Sequence, residues 1–284
     1  MTTLYETAYA NINLTLDILG KRPDGYHDLK SVFQGISLRD DIEIDVGTGQ
    51  PWQVDCGNGI PCDERNLAWK AAAAFCSELN QDPNGLTIRI TKRIPSEAGM
   101  GGGSADAAAV LKALNRHYGY PLSIMELADL GARVGSDVPF CVLLGTAMVE
   151  GRGERLRSLP PIPDCRFVIA KPDFPVSTPA LFRVMDSEPM HDRPDNDAME
   201  EALKRGDLKG VCAQVCNVFD PVVARDHPEI DEIKNIFRAG GALACQMTGS
   251  GSACFAVTDS QEAAERICVS LREKYPNCWI ARPV

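Results

Sequence analysis

Apolar and polar residues alternate strictly from Ala10 to Ile18. The even positions carry alanine, isoleucine or leucine, and the odd positions between them carry polar side chains. A period of two is typical of a β-strand with one buried face. Asn11 and Asn13 therefore share one face of this predicted strand.

Hydrophobic spacing along the rest of the chain predicts a mixture of strands and helices. The strand-like segments are residues 31–37, 41–46, 86–91, 138–144, 166–171 and 246–257. The helical segments are residues 64–79, 105–115, 122–134, 198–204, 208–216, 229–239 and 261–275. Pro160, Pro161 and Pro163 can continue neither a helix nor a central strand, so they predict a boundary between domains at 1–158 and 159–284.

Composition narrows the class of protein. With 284 residues, the chain can build one large or two medium-sized domains. No window approaches the roughly 18 apolar residues of a membrane span. The first residues lack a basic leader followed by an apolar run, which predicts a cytoplasmic location. A formal net charge of −10 excludes a general nucleic-acid binder, so any phosphate must be held locally.

The cysteines and histidines predict no metal centre. The eleven cysteines are scattered without a Cys-x-x-Cys pair, and His27, His117, His191 and His227 lack the spacing of metal ligands. We expect reduced, mostly buried thiols that pack as small hydrophobic side chains.

Four glycines fall between residues 99 and 103, directly before a predicted helix. The backbone N–H groups of such a turn, together with the first turn of the helix, can surround a phosphate group. This candidate phosphate loop comprises Gly99, Met100, Gly101, Gly102, Gly103 and Ser104. Ser104 is the predicted N-cap, and its hydroxyl can also reach a phosphate oxygen or a magnesium ion. A plain hairpin or helix entry is the alternative.

Two familiar phosphate-loop patterns do not fit. No lysine precedes Ser104 as a Walker A motif requires, and Ser104 stands where a dinucleotide fingerprint needs its third glycine. A second glycine cluster at 247–253 and Asp137 within residues 135–139 are, taken singly, typical of a tight turn and of a cap or turn residue. Together with the first loop they suggest two backbone loops closing on one polyanionic ligand, with a carboxylate for chemistry.

With these three segments in order, the chain resembles the GHMP small-molecule kinases over nearly its whole length. Their motifs correspond to residues 10–13, 95–107 and 247–253. The stretches ANINLTLDILGKRPDGYHDL, GSDVPF, VEGRGERL and MTGSGSACFAV resemble in particular the members that phosphorylate the 2-hydroxyl of 4-diphosphocytidyl-2-C-methyl-D-erythritol in the non-mevalonate isoprenoid pathway. The resemblance implies an α+β fold, with an N-terminal domain like domain 2 of ribosomal protein S5 and a ferredoxin-like C-terminal domain.

The resemblance also implies cofactors and residue roles. ATP and Mg²⁺ are the implied cofactors, with Ser104 as a metal ligand. The implied ATP-binding residues are Asn66, Pro95, Gly99, Met100, Gly101, Gly102, Gly103 and Ser104. The implied substrate contacts are Asn13, Tyr26, His27, Asp137, Phe182, Thr248 and Gly249. Tyr26 would stack on the cytosine, His27 would hydrogen-bond the base edge, and Phe182 would cover the opposite face. A surface turn is the alternative for the first two. Asp137 is the implied base for the acceptor hydroxyl.

Asn11 departs from the family pattern, because members usually have lysine at this catalytic position, where it is thought to pair with the aspartate. A neutral amide supplies no ammonium charge, and losing a charge-assisted hydrogen bond costs on the order of 10- to 100-fold in rate. Three explanations stay open: a deliberate substitution that slows turnover, a natural change compensated by Lys21 or another cation, or a paralogue that binds without catalysis.

Two other functions stay open. One is a GHMP kinase for another small alcohol such as homoserine or mevalonate, against which the DGYH stretch speaks. The other is a catalytically weak nucleotide- or cytidine-binding protein. The expected partner is a small-molecule substrate, not a nucleic acid or a membrane, and the expected state is a monomer or homodimer.

Overall fold

The structure is a computed structural model that describes residues 1–57, 60–187 and 192–284, in which eleven strands and ten helices form. The strands are β1 (Thr2–Lys21), β2 (His27–Val46), β3 (Gln53–Asp55), β4 (Leu86–Thr91), β5 (Thr146–Gly151), β6 (Arg155–Ser158), β7 (Arg166–Ala170), β8 (Cys216–Asn217), β9 (Ala244–Met247), β10 (Cys254–Thr258) and β11 (Cys278–Ala281). The helices are α1 (Leu67–Glu78), α2 (Gly102–His117), α3 (Ile124–Ala132), α4 (Val138–Leu143), α5 (Thr178–Met185), α6 (Asn196–Lys204), α7 (Leu208–Ala213), α8 (Asp220–Asp226), α9 (Glu229–Ala239) and α10 (Gln261–Arg272). The expected mixture of strands and helices is confirmed. His191 lies outside the described residues.

The chain divides into two compact units. The first unit contains residues 1–10, 39–94 and 101–144, and the second contains residues 11–38, 95–100 and 145–284. Both units are discontinuous in sequence, because β1 and β2 each contribute residues to both. Their limits do not coincide with position 158, so the predicted domain boundary stays a prediction.

The first unit packs four helices with a small sheet. Residues 41–46 of β2 pair antiparallel with β4, and β3 pairs parallel with β4. The helices α1 and α2 pack against each other, and α4 packs against α2 and α3. The strand predicted at 86–91 is confirmed as β4, whose alternate residues are buried.

The second unit contains two sheets. In one, β5 pairs with β6 and with residues 29–34 of β2, and β8 pairs with β1. The other is an antiparallel sheet in the order β11-β7-β10-β9, against which α9 and α10 pack. The core of this unit includes Phe237 and Ile267, both fully buried.

The alternating segment near the start of the chain is confirmed as part of β1, but both of its faces are buried. The odd positions 11, 13, 15 and 17 are at most 5% exposed. They tolerate burial because they are largely hydrogen-bonded. Thr15 Oγ1 donates to Asn196 Oδ1 at 2.6 Å, and Arg193 donates to both carboxylate oxygens of Asp17 at 3.0 Å. The prediction of a single buried face was therefore wrong.

Three predicted elements need correction. Residues 138–144 form helix α4, not a strand, because a short apolar run has no period that separates a buried strand from a buried helix. Pro139 suits the first turn of that helix. The strands predicted at 31–37 and 41–46 are one strand, β2, and the segment 246–257 forms two strands, β9 and β10.

The cysteines behave as small apolar side chains. All eleven are free and lie in the described part of the chain, and eight of them are buried, as expected. Among the described helices, none has both the length and the hydropathy to cross a membrane.

Candidate active site

The glycine-rich loop leads directly into α2 in the first unit. Gly101 adopts the left-handed conformation, with φ +65°, and α2 begins at Gly102. The first N–H groups of a helix have no acceptor within it, and the helix dipole places partial positive charge there. No acidic side chain lies in this first turn. The start of α2 is therefore suited to an anion.

Ser104 is not the N-cap that the sequence predicted. The left-handed Gly101 reverses the chain earlier, so that Gly102 and Gly103 are already helical and Ser104 lies within the first turn. The glycines thus supply helical N–H groups as well as the turn. The hydroxyl of Ser104 stays on the half-buried surface of that turn.

The segment that carries Asp137 lies next to this turn. A Cβ on Gly135 would be 3.9 Å from Ser104 Oγ. Asp137 is the N-cap residue of α4, yet its side chain makes no capping hydrogen bond. It is half-buried, and burial raises its pKa above the ordinary value for aspartate. The first unit therefore brings together the start of α2 and a carboxylate with an increased tendency to take up a proton.

A buried charge cluster supports α2 from below, and sequence reasoning missed it. Lys92 Nζ lies 2.7 Å from Asp106 Oδ2 and 2.5 Å from Asp40 Oδ2. Burial raises the pKa of Asp106 to about 7, against the opposing effect of Lys92. Asp106 Oδ1 is buried without a hydrogen-bond partner. Asp106 was noted only as a residue of the first turn, and its partners lie 14 or more positions away from one another, so no local pattern announces them.

Asn66 is the N-cap of α1. Its Oδ1 accepts from the Ala68 amide at 2.9 Å, and its Nδ2 donates to the Pro61 carbonyl at 2.8 Å. Leu67, the next residue, lies 3.5 Å from the place where a Cβ on Gly103 would stand. The start of α1 is therefore close to that of α2, while the nucleotide contact of Asn66 stays a prediction.

In the second unit, the two glycine clusters meet. A Cβ on Gly99 would lie 2.3 Å from the carbonyl oxygen of Thr248. The Ala253 amide donates to the Ala98 carbonyl at 3.2 Å. The predicted approach of the two loops is confirmed, whereas their binding of one polyanion stays a prediction.

Asn13 and Thr248 join β1 to the second loop. Thr248 Oγ1 accepts from the Asn13 amide at 3.0 Å, and Asn13 Nδ2 donates to Ser31 Oγ at 3.0 Å. Both residues are buried. Their proposed substrate contacts stay predictions.

Asn11 differs from its neighbours on β1. Its backbone amide donates to the Met100 carbonyl at 3.2 Å, but its buried Oδ1 has no hydrogen-bond partner. A buried polar atom without a partner is uncommon and is a feature of ligand sites. Met100 is itself buried, and Pro95 is half-buried.

The predicted cytosine contacts lie in the second unit. Tyr26 is 59% exposed, with the Arg152 guanidinium 5.0 Å from its ring centroid. Phe182 stacks on His27 at 4.6 Å. His27 Nε2 lies 2.7 Å from Asp186 Oδ1. The sequence gave no indication of Arg152 or Asp186 in this cluster.

Asn217 is a further residue that sequence reasoning missed. Its Nδ2 donates to the carbonyls of Met247 and Gly249 at 2.8 Å each, and its Oδ1 accepts from the Phe219 amide at 2.9 Å. All its hydrogen-bonding capacity thus holds the second glycine loop in shape.

Comparison with known proteins identifies the family. The model of the GHMP kinases N-terminal domain matches residues 66–145, and the GHMP kinases C-terminal model matches residues 199–277. A 4-diphosphocytidyl-2-C-methyl-D-erythritol kinase of Exiguobacterium sibiricum is 42% identical over 281 residues, which cover 99% of this chain and 98% of that protein. The chain belongs to the GHMP kinase family. The resemblance inferred from the motifs is confirmed, and the chain is an ATP-dependent small-molecule kinase.

Two further similarities extend over the length of this GHMP kinase. The kinase of the same name from Caldicellulosiruptor saccharolyticus is 41% identical, over 94% of this chain and 93% of that protein. A crystal structure of 4-(cytidine 5'-diphospho)-2C-methyl-D-erythritol kinase has a TM-score of 0.83 and 33% identity, with 98% of each chain covered. The predicted α+β GHMP kinase fold is confirmed.

Proposed function

We propose that this GHMP kinase transfers the γ-phosphoryl group of ATP to the 2-hydroxyl of 4-diphosphocytidyl-2-C-methyl-D-erythritol, a step toward isoprenoid precursors. The proposal depends above all on one observation: Gly135, two residues before Asp137, lies beside Ser104 in the first turn of α2. An anion site and a carboxylate are the two elements that phosphoryl transfer to an alcohol needs. The relatives that carry this substrate in their name support the choice of alcohol.

The nucleotide phosphates are proposed to bind at the glycine-rich loop. The amides of Gly102, Gly103 and Ser104 lie in the first turn of α2, and the absence of side chains on the glycines lets a phosphate approach the backbone. The proposed ATP-binding set also includes Asn66, Pro95, Gly99, Met100 and Gly101. ATP supplies the phosphoryl group, and Mg²⁺, when bound, neutralises its charge.

The donor set fits a magnesium ion held mainly by phosphates and water. Mg²⁺ prefers oxygen ligands and usually keeps several waters. The described residues contain no group of three or more His, Cys, Asp or Glu side chains that could hold a metal ion by themselves. Ser104 offers a hydroxyl at the start of α2 and is the residue we propose to contact the ion.

Asp137 is proposed to accept or orient the proton of the acceptor hydroxyl. A general base works best when its pKa approaches the working pH, and burial shifts the pKa of Asp137 in that direction. Since phosphoryl transfer has a loose transition state, positioning and electrostatics should supply most of the catalysis. Asn11 stands where the family resemblance places a second, cationic catalytic group.

The cytidine end of the substrate is proposed to bind Tyr26, His27 and Phe182. Tyr26 offers an exposed ring for stacking, and His27 offers a ring nitrogen for the edge of the base. Asn13, Thr248 and Gly249 are proposed as further substrate contacts.

An ATP-consumption assay tests the proposal. The protein is offered the cytidylated alcohol, mevalonate and homoserine in parallel, with Asp137→Asn as the inactive control. We expect consumption with the cytidylated alcohol alone. Faster consumption with mevalonate or homoserine would overturn the substrate assignment.

One observation favours a second candidate, a catalytically weak nucleotide- or cytidine-binding paralogue. Asn11 replaces the expected lysine, and its buried Oδ1 has no partner. Binding of the cytidylated alcohol without ATP consumption, in both the protein and its Asn11→Lys variant, would support this candidate.

A further inference from the structure

His27 and Lys21 share one carboxylate in the second unit. His27 Nε2 lies 2.7 Å from Asp186 Oδ1, and Lys21 Nζ lies 2.5 Å from Asp186 Oδ2. The side chain of His27 is only 8% exposed, whereas that of Lys21 is 55% exposed. The two donors therefore use different oxygens, and the imidazole is the sheltered partner.

This arrangement decides which nitrogen of His27 carries the proton. Lys21, and to a smaller extent His27, hold the pKa of Asp186 below its ordinary value, so the carboxylate is ionised and can only accept hydrogen bonds. Nε2 must then donate to Asp186. In a neutral imidazole the second nitrogen, Nδ1, is left as an acceptor.

The same helix also fixes the plane of the imidazole. Phe182 lies on α5 and stacks on His27 with an interplanar angle of 21°, while its own ring meets Phe219 edge-on at 5.2 Å. Asp186 is the C-cap residue of α5, four positions after Phe182. Residues four apart lie on one face of a helix. A single helix end therefore sets both the plane of the His27 ring and its hydrogen-bond partner.

We propose that Asp186 is a positioning residue that fixes His27 in its Nε2–H form and leaves Nδ1 to accept a hydrogen bond from the exocyclic amino group of cytosine. This inference rests on the proposed function, in which His27 contacts the base. Uracil carries a carbonyl oxygen at the corresponding position, so two acceptors would face each other. Asp186 thereby contributes to the choice of cytidine over uridine without touching the base.

Nitrogen NMR of the histidine rings tests the tautomer directly. The chain has four histidines, and the His27 signals are assigned by their loss in His27→Gln. In the wild-type protein we expect a pyrrole-like Nε2 and a pyridine-like Nδ1 for His27. In Asp186→Ala we expect both tautomers to be populated. Asp164→Asn removes an exposed carboxylate paired with Arg166 and should leave the His27 signals unchanged.

Kinetics tests the consequence for the substrate. Losing a charge-assisted hydrogen bond corresponds to a factor of roughly 10 to 100. In Asp186→Ala we expect KM for the cytidylated alcohol to rise by about tenfold or more, and its preference over the uridylated analogue to fall by a similar factor. The kcat and the KM for ATP should stay within about twofold. Asp186→Asn keeps an oxygen that can accept from Nε2–H, so it should recover part of the loss.

The outcomes separate this inference from the proposed function. If wild-type protein does not phosphorylate the cytidylated alcohol, the proposed function fails, and the NMR result still decides the tautomer. A protonated Nδ1 in the wild-type protein, or identical His27 signals in Asp186→Ala, overturns the role of Asp186. An unchanged preference for the cytidylated over the uridylated compound in both Asp186 variants overturns its part in specificity.

Discussion

The carbonyl oxygen of Thr248 occupies space that a side chain on Gly99 would need. The distance from a Cβ at Gly99 to this oxygen would be 2.3 Å, and Gly99 also has φ +70°. The two glycine loops of the second unit can approach each other only because residue 99 has no side chain. This contact leads to the first prediction.

Gly99→Ala should displace one loop from the other. A positive φ alone costs alanine about 1 to 2 kcal/mol, and the overlap with backbone adds to that cost. Gly206→Ala is the matched control, because Gly206 has φ +62° but nothing within 4 Å of its Cβ position. We expect Gly99→Ala to lower the free energy of unfolding more than Gly206→Ala, and to reduce kcat/KM at least about tenfold. Equal effects of the two variants in urea unfolding and in the assay would contradict this prediction.

Asn11→Lys should raise the turnover rate by roughly tenfold or more, because an ammonium group restores a charge-assisted interaction. Substrate affinity should change by no more than a few-fold. Asn11→Met has similar length without charge and serves as the control. Steady-state kinetics of the three proteins gives the answer, and equal turnover in Asn11→Lys and the wild-type protein removes the inference about the missing lysine.

Asp137→Asn should lower kcat by about 10²- to 10⁴-fold, the usual contribution of general acid–base catalysis. Its circular dichroism spectrum should be unchanged, since the side chain makes no capping bond. Because burial raises the pKa of Asp137, the acid limb of the kcat/KM profile should lie above the roughly 3.9 of an ordinary aspartate. Retention of most activity in this variant, with an unshifted acid limb, would remove Asp137 from the mechanism.

Asn217→Ala should destabilise the second glycine loop. The substitution leaves two buried carbonyl oxygens, on Met247 and Gly249, without their donor. At about 1 to 3 kcal/mol for each unsatisfied group, the free energy of unfolding should fall by about 2 to 4 kcal/mol. Asn235→Ala, at an exposed position of α9, should change it by less than about 0.5 kcal/mol. Urea unfolding of both variants measures the difference, which should vanish if the loop is held by other contacts.

Asp106 should make stability depend on pH. The folded protein binds its proton with a pKa of about 7, whereas the unfolded chain titrates near the ordinary value. The folded state therefore holds more protons between about pH 4 and pH 7, and stability falls as pH rises through this window. Asp106→Asn mimics the protonated side chain. The stability of the wild-type protein relative to this variant should fall between pH 4 and pH 7 by on the order of a few kcal/mol, and a constant difference would contradict the assignment.

Local patterns in the sequence were enough for the elements and the family. The period of two around Ile12 and Leu14 predicted β1, and the glycines before residue 104 predicted the turn into α2. These signals succeed because they depend on neighbouring residues, whose geometry is fixed by backbone sterics. The motifs predicted the GHMP kinase family for the same reason.

Long-range contacts were beyond reach. Asn217 bonds carbonyls about 30 positions away in the chain, and Lys92 joins carboxylates from β2 and α2. A single asparagine or lysine carries no periodic signal, so only the fold reveals its partners. The helix at 138–143 was mistaken for a strand because its burial on all sides removes the amphipathic pattern.

The sequence Asp-Val-Pro at residues 137–139 removes a competitor for the Asp137 carboxylate. An aspartate at the start of a helix ordinarily bonds an amide hydrogen two or three residues further on, and proline has none to offer at the second of those places. The chain thus starts a helix with a residue that would normally cap it, while half of the usual reason to fold back has been deleted. A proline at 139 keeps the acidic group available for chemistry, and a chain with alanine there would recover a more stable helix start at the expense of its reactive side chain.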